Sequence, residues 1–189
     1  MTQATIHALV QELLRYRDAH VDERDTAERF LAFAHSGDDV CLRSRPDGHF
    51  TASCWLLCND GERVLLTHHR KLDRWLQPGG HADGDADLAR VAWREAAEES
   101  GLPDLLVEGA IFDLDAHTIP AHGAEPAHLH WDVRYVVHCR GSEDCVVSAE
   151  SHALVWVPVA TVLASDDASL RRMAAKWLAR AQGRPTAVG

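Results

Sequence analysis

Apolar residues recur at helical spacing near the start of the chain, with Ile6, Leu9, Val10, Leu13 and Leu14 sharing one side of residues 5–17. A second stretch, 22–35, puts Ala27, Phe30, Leu31 and Ala34 on one face. This predicts a helical pair whose stripes pack on the rest of the molecule or on a second copy of the chain. The pattern then changes. Residues 50–58 and 63–68 are rich in strand formers, and Asn59-Asp60-Gly61 between them signals a hairpin. Residues 72–85 read as loop, with Pro78-Gly79-Gly80 and Gly84. Residues 86–100 are rich in Ala, Arg and Glu, and Gly101-Leu102-Pro103 follows, which predicts a helix with a glycine stop. Strand-like runs come at 105–113, 129–139 and 153–157, with a polar loop at 117–126. Leu170, Met173, Ala174, Trp177 and Leu178 mark a closing helix over 170–181. The fold class is α/β, a mixed sheet between helices. Residues 1–40 form a helical extension and 41–189 the main domain. Trp75, Trp131 and Trp156 are expected in its core.

Composition adds bounds. The chain has 189 residues, 46% hydrophobic and 25% charged, so a globular domain with a real core is expected. A chain of this size buries roughly 70% of its unfolded surface. With 19 basic and 29 acidic residues the formal charge is −10. Such a field does not attract nucleic acid, and a phosphate substrate would need local neutralisation, for which a divalent cation is the obvious means. The 13 histidines suit metal or proton chemistry. Five cysteines without a C-x-x-C pair read as reduced cytoplasmic thiols, neither a disulfide framework nor a cysteine zinc site. The N-terminal stretch lacks the apolar run of a signal peptide, and no run is long enough to span a membrane.

Chemistry concentrates on the helix over 86–100. Glu95, Glu98 and Glu99 fall on an arc about 100° wide. Glu95 and Glu99 are like charges one turn apart, which destabilises an ordinary helix. Only Glu98 has a basic partner within a turn, Arg94. Leu88, Val91 and Ala92 share the arc, so the carboxylates are expected to face inward or into a cleft. Three such groups are costly there unless neutralised. Converging hard oxygen ligands suit Mg2+ or Mn2+. The plainer reading of E-x-x-E-E alone is a solvated acidic face.

The wider context resembles the Nudix box, G-x5-E-x7-R-E-U-x-E-E-x-G-U, where U is aliphatic. With Gly80 as its first residue, Arg94, Glu95, Ala96, Glu98, Glu99, Gly101 and Leu102 all fall in register. The chain is therefore identified as a member of the Nudix hydrolase family, with Trp156-Val157-Pro158 near its end in keeping. The resemblance implies a Nudix-like α/β/α sandwich with a mixed β-sheet. One position departs. The first box Glu falls at Ala86, flanked by Asp85 and Asp87, and Asp85 reads as the helix N-cap.

By resemblance, Gly79 through its carbonyl and Glu95, Glu98 and Glu99 hold the metal, with Glu150 as a late-loop ligand. Arg94 pairs with a box carboxylate and orients it. The implied reaction is metal-dependent hydrolysis of a nucleoside diphosphate linked to another moiety, with Glu98 or Glu95 taking the proton from water. His68 and Arg70, in a local basic patch, and His81 and His130 are candidate substrate contacts. His128, His130 and Asp132 alternate onto one strand face. That arrangement reads as a polar sheet face or as a second metal or proton-transfer cluster. Two alternatives share the fold: a catalytically degenerate nucleotide sensor, suggested by Ala86, and an enzyme resembling isopentenyl diphosphate isomerase, which needs Cys54 or Cys58 at the cleft.

Overall fold

The computed structural model describes residues 3–123, 126–149 and 151–183. Two helices come first, α1 (Gln3–Ala19) and α2 (Arg24–Ala34), joined by a single 3₁₀ turn at Val21–Glu23. The sheet contains β1 (Gly48–Leu57), β2 (Arg63–His69), β3 (Arg74–Leu76), β4 (Gly79–His81), β5 (Leu105–Ile119), β6 (His128–Cys139) and β7 (Ser151–Pro158). Helix α3 (Leu88–Ser100) follows β4, and α4 (Val159–Val162) and α5 (Ala168–Gln182) close the chain. Among the described residues no helix is long and apolar enough to cross a membrane.

The sheet is mixed. Its central pair is β1 and β6, which run parallel from Gly48 opposite Leu129 to Leu57 opposite His138. β5 adds antiparallel to β6, β4 antiparallel to β1, and β2 carries both β3 and β7. The hairpin through Asn59-Asp60-Gly61 forms, but β1 and β2 share only the register at Leu57 opposite Val64. They splay apart because β1 continues against β4 while β2 continues against β7. Every residue of β1 is buried, as a strand covered on both faces requires.

Alternation along β1 assigns the two faces. Phe50, Ala52, Cys54 and Leu56 join one core with Leu9, Leu13 and Phe30 of the N-terminal helices and Leu88, Val91, Ala92 and Ala96 of α3. Trp55 and Leu57 join the other with Val162, Leu170, Met173 and Trp177 of α4 and α5. The layers are thus helices, sheet, helices. The apolar stripes of α1 and α2 are taken up by the chain's own sheet, where Leu13 and Phe30 are fully buried.

Three expectations change. The 72–85 stretch is not all loop: it holds β3 and β4, each three residues long. β3 folds back on β2 in a tight hairpin, with His69 opposite Arg74, whereas β4 pairs with the distant β1, and its two glycines lower its strand propensity. β5 runs six residues beyond its expected end at 113, through to Ile119, because its polar residues find partners inside the sheet. Trp131 is buried and stacks on Phe33 at 4.7 Å between ring centroids, and Trp156 is partly buried. Trp75 is instead 40% exposed, lying on short β3 with its ring stacked over His68.

Those polar partners form a buried ion network on the α5 side of the sheet. Arg134 of β6 donates to Asp132 (2.8 Å) and Asp113 (3.1 Å) and stands 3.3 Å from Asp115. Arg172 of α5 reaches Asp113 at 2.7 Å and Asp115 at 2.8 Å. Lys176 joins Asp113 to Glu23 and to the Tyr16 hydroxyl, tying α5 to the end of the N-terminal helices. Burial alone would raise both aspartates. For Asp113 the Arg172, Arg134 and Lys176 charges outweigh it, and for Asp115 the His117 hydrogen bond with Arg134 and Arg172 does so. Both carboxyls are therefore held below the usual carboxylate range.

Arg134→Met leaves Asp132 with only the Thr51 and Ser53 hydroxyls, while Asp113 and Asp115 keep Arg172, and the loss should be about 3–5 kcal/mol in urea unfolding. Because Asp113 and Asp115 bind protons less readily folded than unfolded, stability is complete above about pH 4 and falls as pH drops below it. Arg134→Met should flatten that acid limb; an unchanged limb would show that Arg134 does not hold the aspartates down.

Candidate active site

Helix α3 begins at Leu88, not 86. Asp87 is its N-cap and accepts from the Arg90 amide at 3.0 Å. Asp85 accepts from the Asp87 amide and is gripped at both oxygens by Arg90. Asp85 is thus not the cap, though it braces the residue that is. Ala86, at the position of the missing box glutamate, is 4% exposed and packs in the α3 core. The helix ends at Gly101 in the left-handed region (φ 68°), where a Cβ would stand 2.9 Å from Val146 Cβ.

The acidic arc of α3 turns toward β4. Glu99 is 7% exposed, and its Oε1 accepts from the Gly79 amide at 2.8 Å. Glu95 is half-buried and lies against Gly80: a Cβ there would come within 2.5 Å of Glu95 Oε2. Gly80 is therefore a close-approach glycine, needed so that carboxylate and backbone can meet. Arg94 donates to Glu95 Oε1 at 2.7 Å and to the His81 carbonyl at 2.8 Å, so it fixes the Glu95 carboxylate relative to β4. Glu98 is exposed, at the open side of the arc. An oxygen-only donor set, with room left by two glycines, fits a hard divalent cation. Glu150 lies outside the described residues.

The other candidates are elsewhere. His68 stacks on Trp75 and stands 3.1 Å from Asp73. Arg70 donates to the Ser151 carbonyl. Both mark the end of β2 where β3 and β7 meet it. His81 follows Gly80 on β4, so alternation sends its side chain to the face opposite Glu95. There it meets His130 of β6 and His49 of β1, with ring centroids 4.9–5.1 Å apart. His128 adjoins this group. Asp132 does not; it accepts from Thr51 and Ser53 and belongs to the ion network. Burial first, and neighbouring His81 next, pull His49 down to about 4 and His130 to about 2.

Sequence reasoning missed His49. The strand was expected to start at residue 50, two residues later than it does, and the parallel register that sets His49 opposite His130 joins segments far apart in the chain. The alternation of His128 and His130 was the only local hint.

An α/β/α sandwich with an acidic helix packed behind a Gly-Gly strand is the class of protein this fold and site define. The NUDIX domain model matches residues 48–178, and the chain belongs to the Nudix family, a pyrophosphohydrolase class acting on phosphoric anhydrides. Helices α1 and α2 precede the matched region. No curated protein matches the sequence. Among solved structures, the Ap4A hydrolase of C. elegans in a binary complex is similar at 19% identity, covering 71% of this chain and 98% of that one, with a TM-score of 0.58. The dihydroneopterin triphosphate pyrophosphohydrolase of E. coli is 16% identical over 74% of this chain and 99% of that one (TM-score 0.54). The MutT protein of Methanosarcina mazei is 19% identical over 74% and 99% (TM-score 0.52). These likenesses show the shared fold.

In Gly80→Ala the added methyl pushes Glu95 off β4. Since a displacement near 1 Å costs about 100-fold in rate, hydrolysis should fall by about that factor while the circular dichroism spectrum is kept. Full activity in this variant would mean that Glu95 need not touch the strand.

Proposed function

We propose that this chain hydrolyses a diphosphate bond in a nucleoside diphosphate linked to another moiety, using Mg2+ or Mn2+. The observation that carries the reading is the packing of Glu95 and Glu99 on Gly80 and Gly79, with Glu98 beside them. The Gly79 carbonyl, Glu95, Glu98 and Glu99 would hold the ion, and Glu150 is the further proposed ligand. Bound there, the ion supplies neutralisation of the diphosphate and a water of lowered pKa.

The residues divide the remaining work. Arg94 is a positioning residue, holding Glu95 through one oxygen while its bond to the His81 carbonyl anchors it to β4. Glu98, exposed and on the same arc, is the carboxylate proposed to take the proton from the attacking water. His68 and Arg70 are the proposed phosphate contacts, whereas His81 and His130 stand in the imidazole cluster on the other face. The isomerase alternative is disfavoured by Cys54, which is fully buried, so that burial pushes its thiol well above the ordinary value. Ala86 in the core is the one observation that favours a nucleotide sensor.

The test is product release from nucleoside triphosphates, ADP-ribose, sugar nucleotides and dinucleoside polyphosphates, with Mg2+, with Mn2+ and with chelator. Metal-dependent turnover of one class is expected. Glu98→Gln should lower its rate by about 10²–10⁴-fold, the usual worth of a general base, and Glu99→Gln should weaken metal binding. Tight metal and nucleotide binding without turnover of any compound would replace the hydrolase by the sensor. Turnover untouched by chelator would overturn the metal assignment.

A further inference from the structure

We propose that His49, His81 and His130 form a second metal site, for a zinc-class divalent ion, distinct from the oxygen-ligand centre on α3. The three side chains come from three adjacent strands, β1, β4 and β6, on the face of the sheet away from Glu95. Each offers a ring nitrogen, and the three nitrogens lie within 4.8 Å of one another. Around zinc, Zn–N bonds of about 2.0–2.1 Å set ligand nitrogens roughly 3.3 Å apart. Closing the triangle therefore requires the nitrogens to approach one another by at most about 1.5 Å.

The cluster is hard to account for without a ligand. His49 is 1% exposed; its ring lies against the Arg45 backbone, and neither ring nitrogen has a well-formed hydrogen bond among the described residues. The same holds for Nε2 of His130. Buried polar atoms are nearly always satisfied, and each one left open is destabilising. Three imidazoles packed together also repel if protonated. An ion accepting their lone pairs removes both penalties at once.

The donor set chooses the ion. Among the described residues the triad contains nitrogen ligands only, which suit Zn2+, Co2+ or Ni2+ and not Mg2+ or Mn2+. The carboxylates of α3 have the opposite preference, so the two sites sort ions by chemistry. His81 and His130 are partly exposed, which gives an ion access and leaves the fourth position to water or a phosphate oxygen. His81 also connects the sites: its carbonyl accepts from Arg94, which holds Glu95.

The experiment equilibrates the full chain, stripped with chelator, against Zn2+ in millimolar Mg2+, and counts bound zinc by mass spectrometry. One zinc per chain is expected in the wild type and in Glu98→Gln. His49→Gln and His130→Gln, checked for fold by circular dichroism, should lose affinity by more than the about 10–100-fold that an outer residue costs. Co2+ in the wild type provides a readout that needs no variant: intense visible bands of a low-coordinate, nitrogen-bound ion are expected. No retained zinc, zinc lost in Glu98→Gln but kept in both histidine variants, or only the weak cobalt bands of an octahedral oxygen site would each overturn the proposal.

Discussion

The parallel pairing of β1 with β6 governs both centres. Once Gly48 is set opposite Leu129, strand alternation deals every residue of β1 to one of two environments. Phe50, Ala52, Cys54 and Leu56 go to the side that packs α3. His49, Thr51 and Ser53 go to the side that carries His130, Asp132 and Arg134. A slip of one residue would exchange these sets, putting three polar side chains beneath α3 and a phenylalanine among carboxylates. The buried ion network, the imidazole cluster and the bed for the acidic helix therefore rest on one register.

β4 makes that register useful. It is only three residues long, yet its neighbours differ on each face: Gly80 meets Glu95 and His81 meets His49. The absence of a side chain at Gly80 brings a carboxylate onto backbone, while the next residue delivers an imidazole to the other side. Arg94, bridging Glu95 and the His81 carbonyl, spans the junction. Carboxylates and imidazoles are thus gathered on opposite faces of one strand.

The network of Arg134, Asp113, Asp115, Arg172 and Lys176 has a different consequence. Charges buried in a sheet gain little over apolar residues in stability, but breaking one pair is costly. Lys176 reaches Glu23 and Tyr16, so α5 and the N-terminal helices are joined around the sheet although they lie on opposite layers. Helices α1 and α2, ahead of the family-matched region, are held both by this link and by Leu9, Leu13 and Phe30 in the core.

Local patterns alone determined much of this protein. The apolar stripes gave α1, α2 and α5, Gly101 gave the end of α3, and the spacing of Arg94, Glu95, Glu98 and Glu99 after Gly80 gave the family. These features are legible because helix periodicity, capping and a box motif act within a few residues of the chain. The tertiary structure decided what depends on distant pairing. It moved the N-cap from Asp85 to Asp87, since burial of Ala86 turns Asp85 outward to Arg90. It drew β4 out of an expected loop by pairing it with the distant β1. It also brought His49 to His81 and His130, because a parallel register between strands some eighty residues apart in the sequence leaves no local mark on either one.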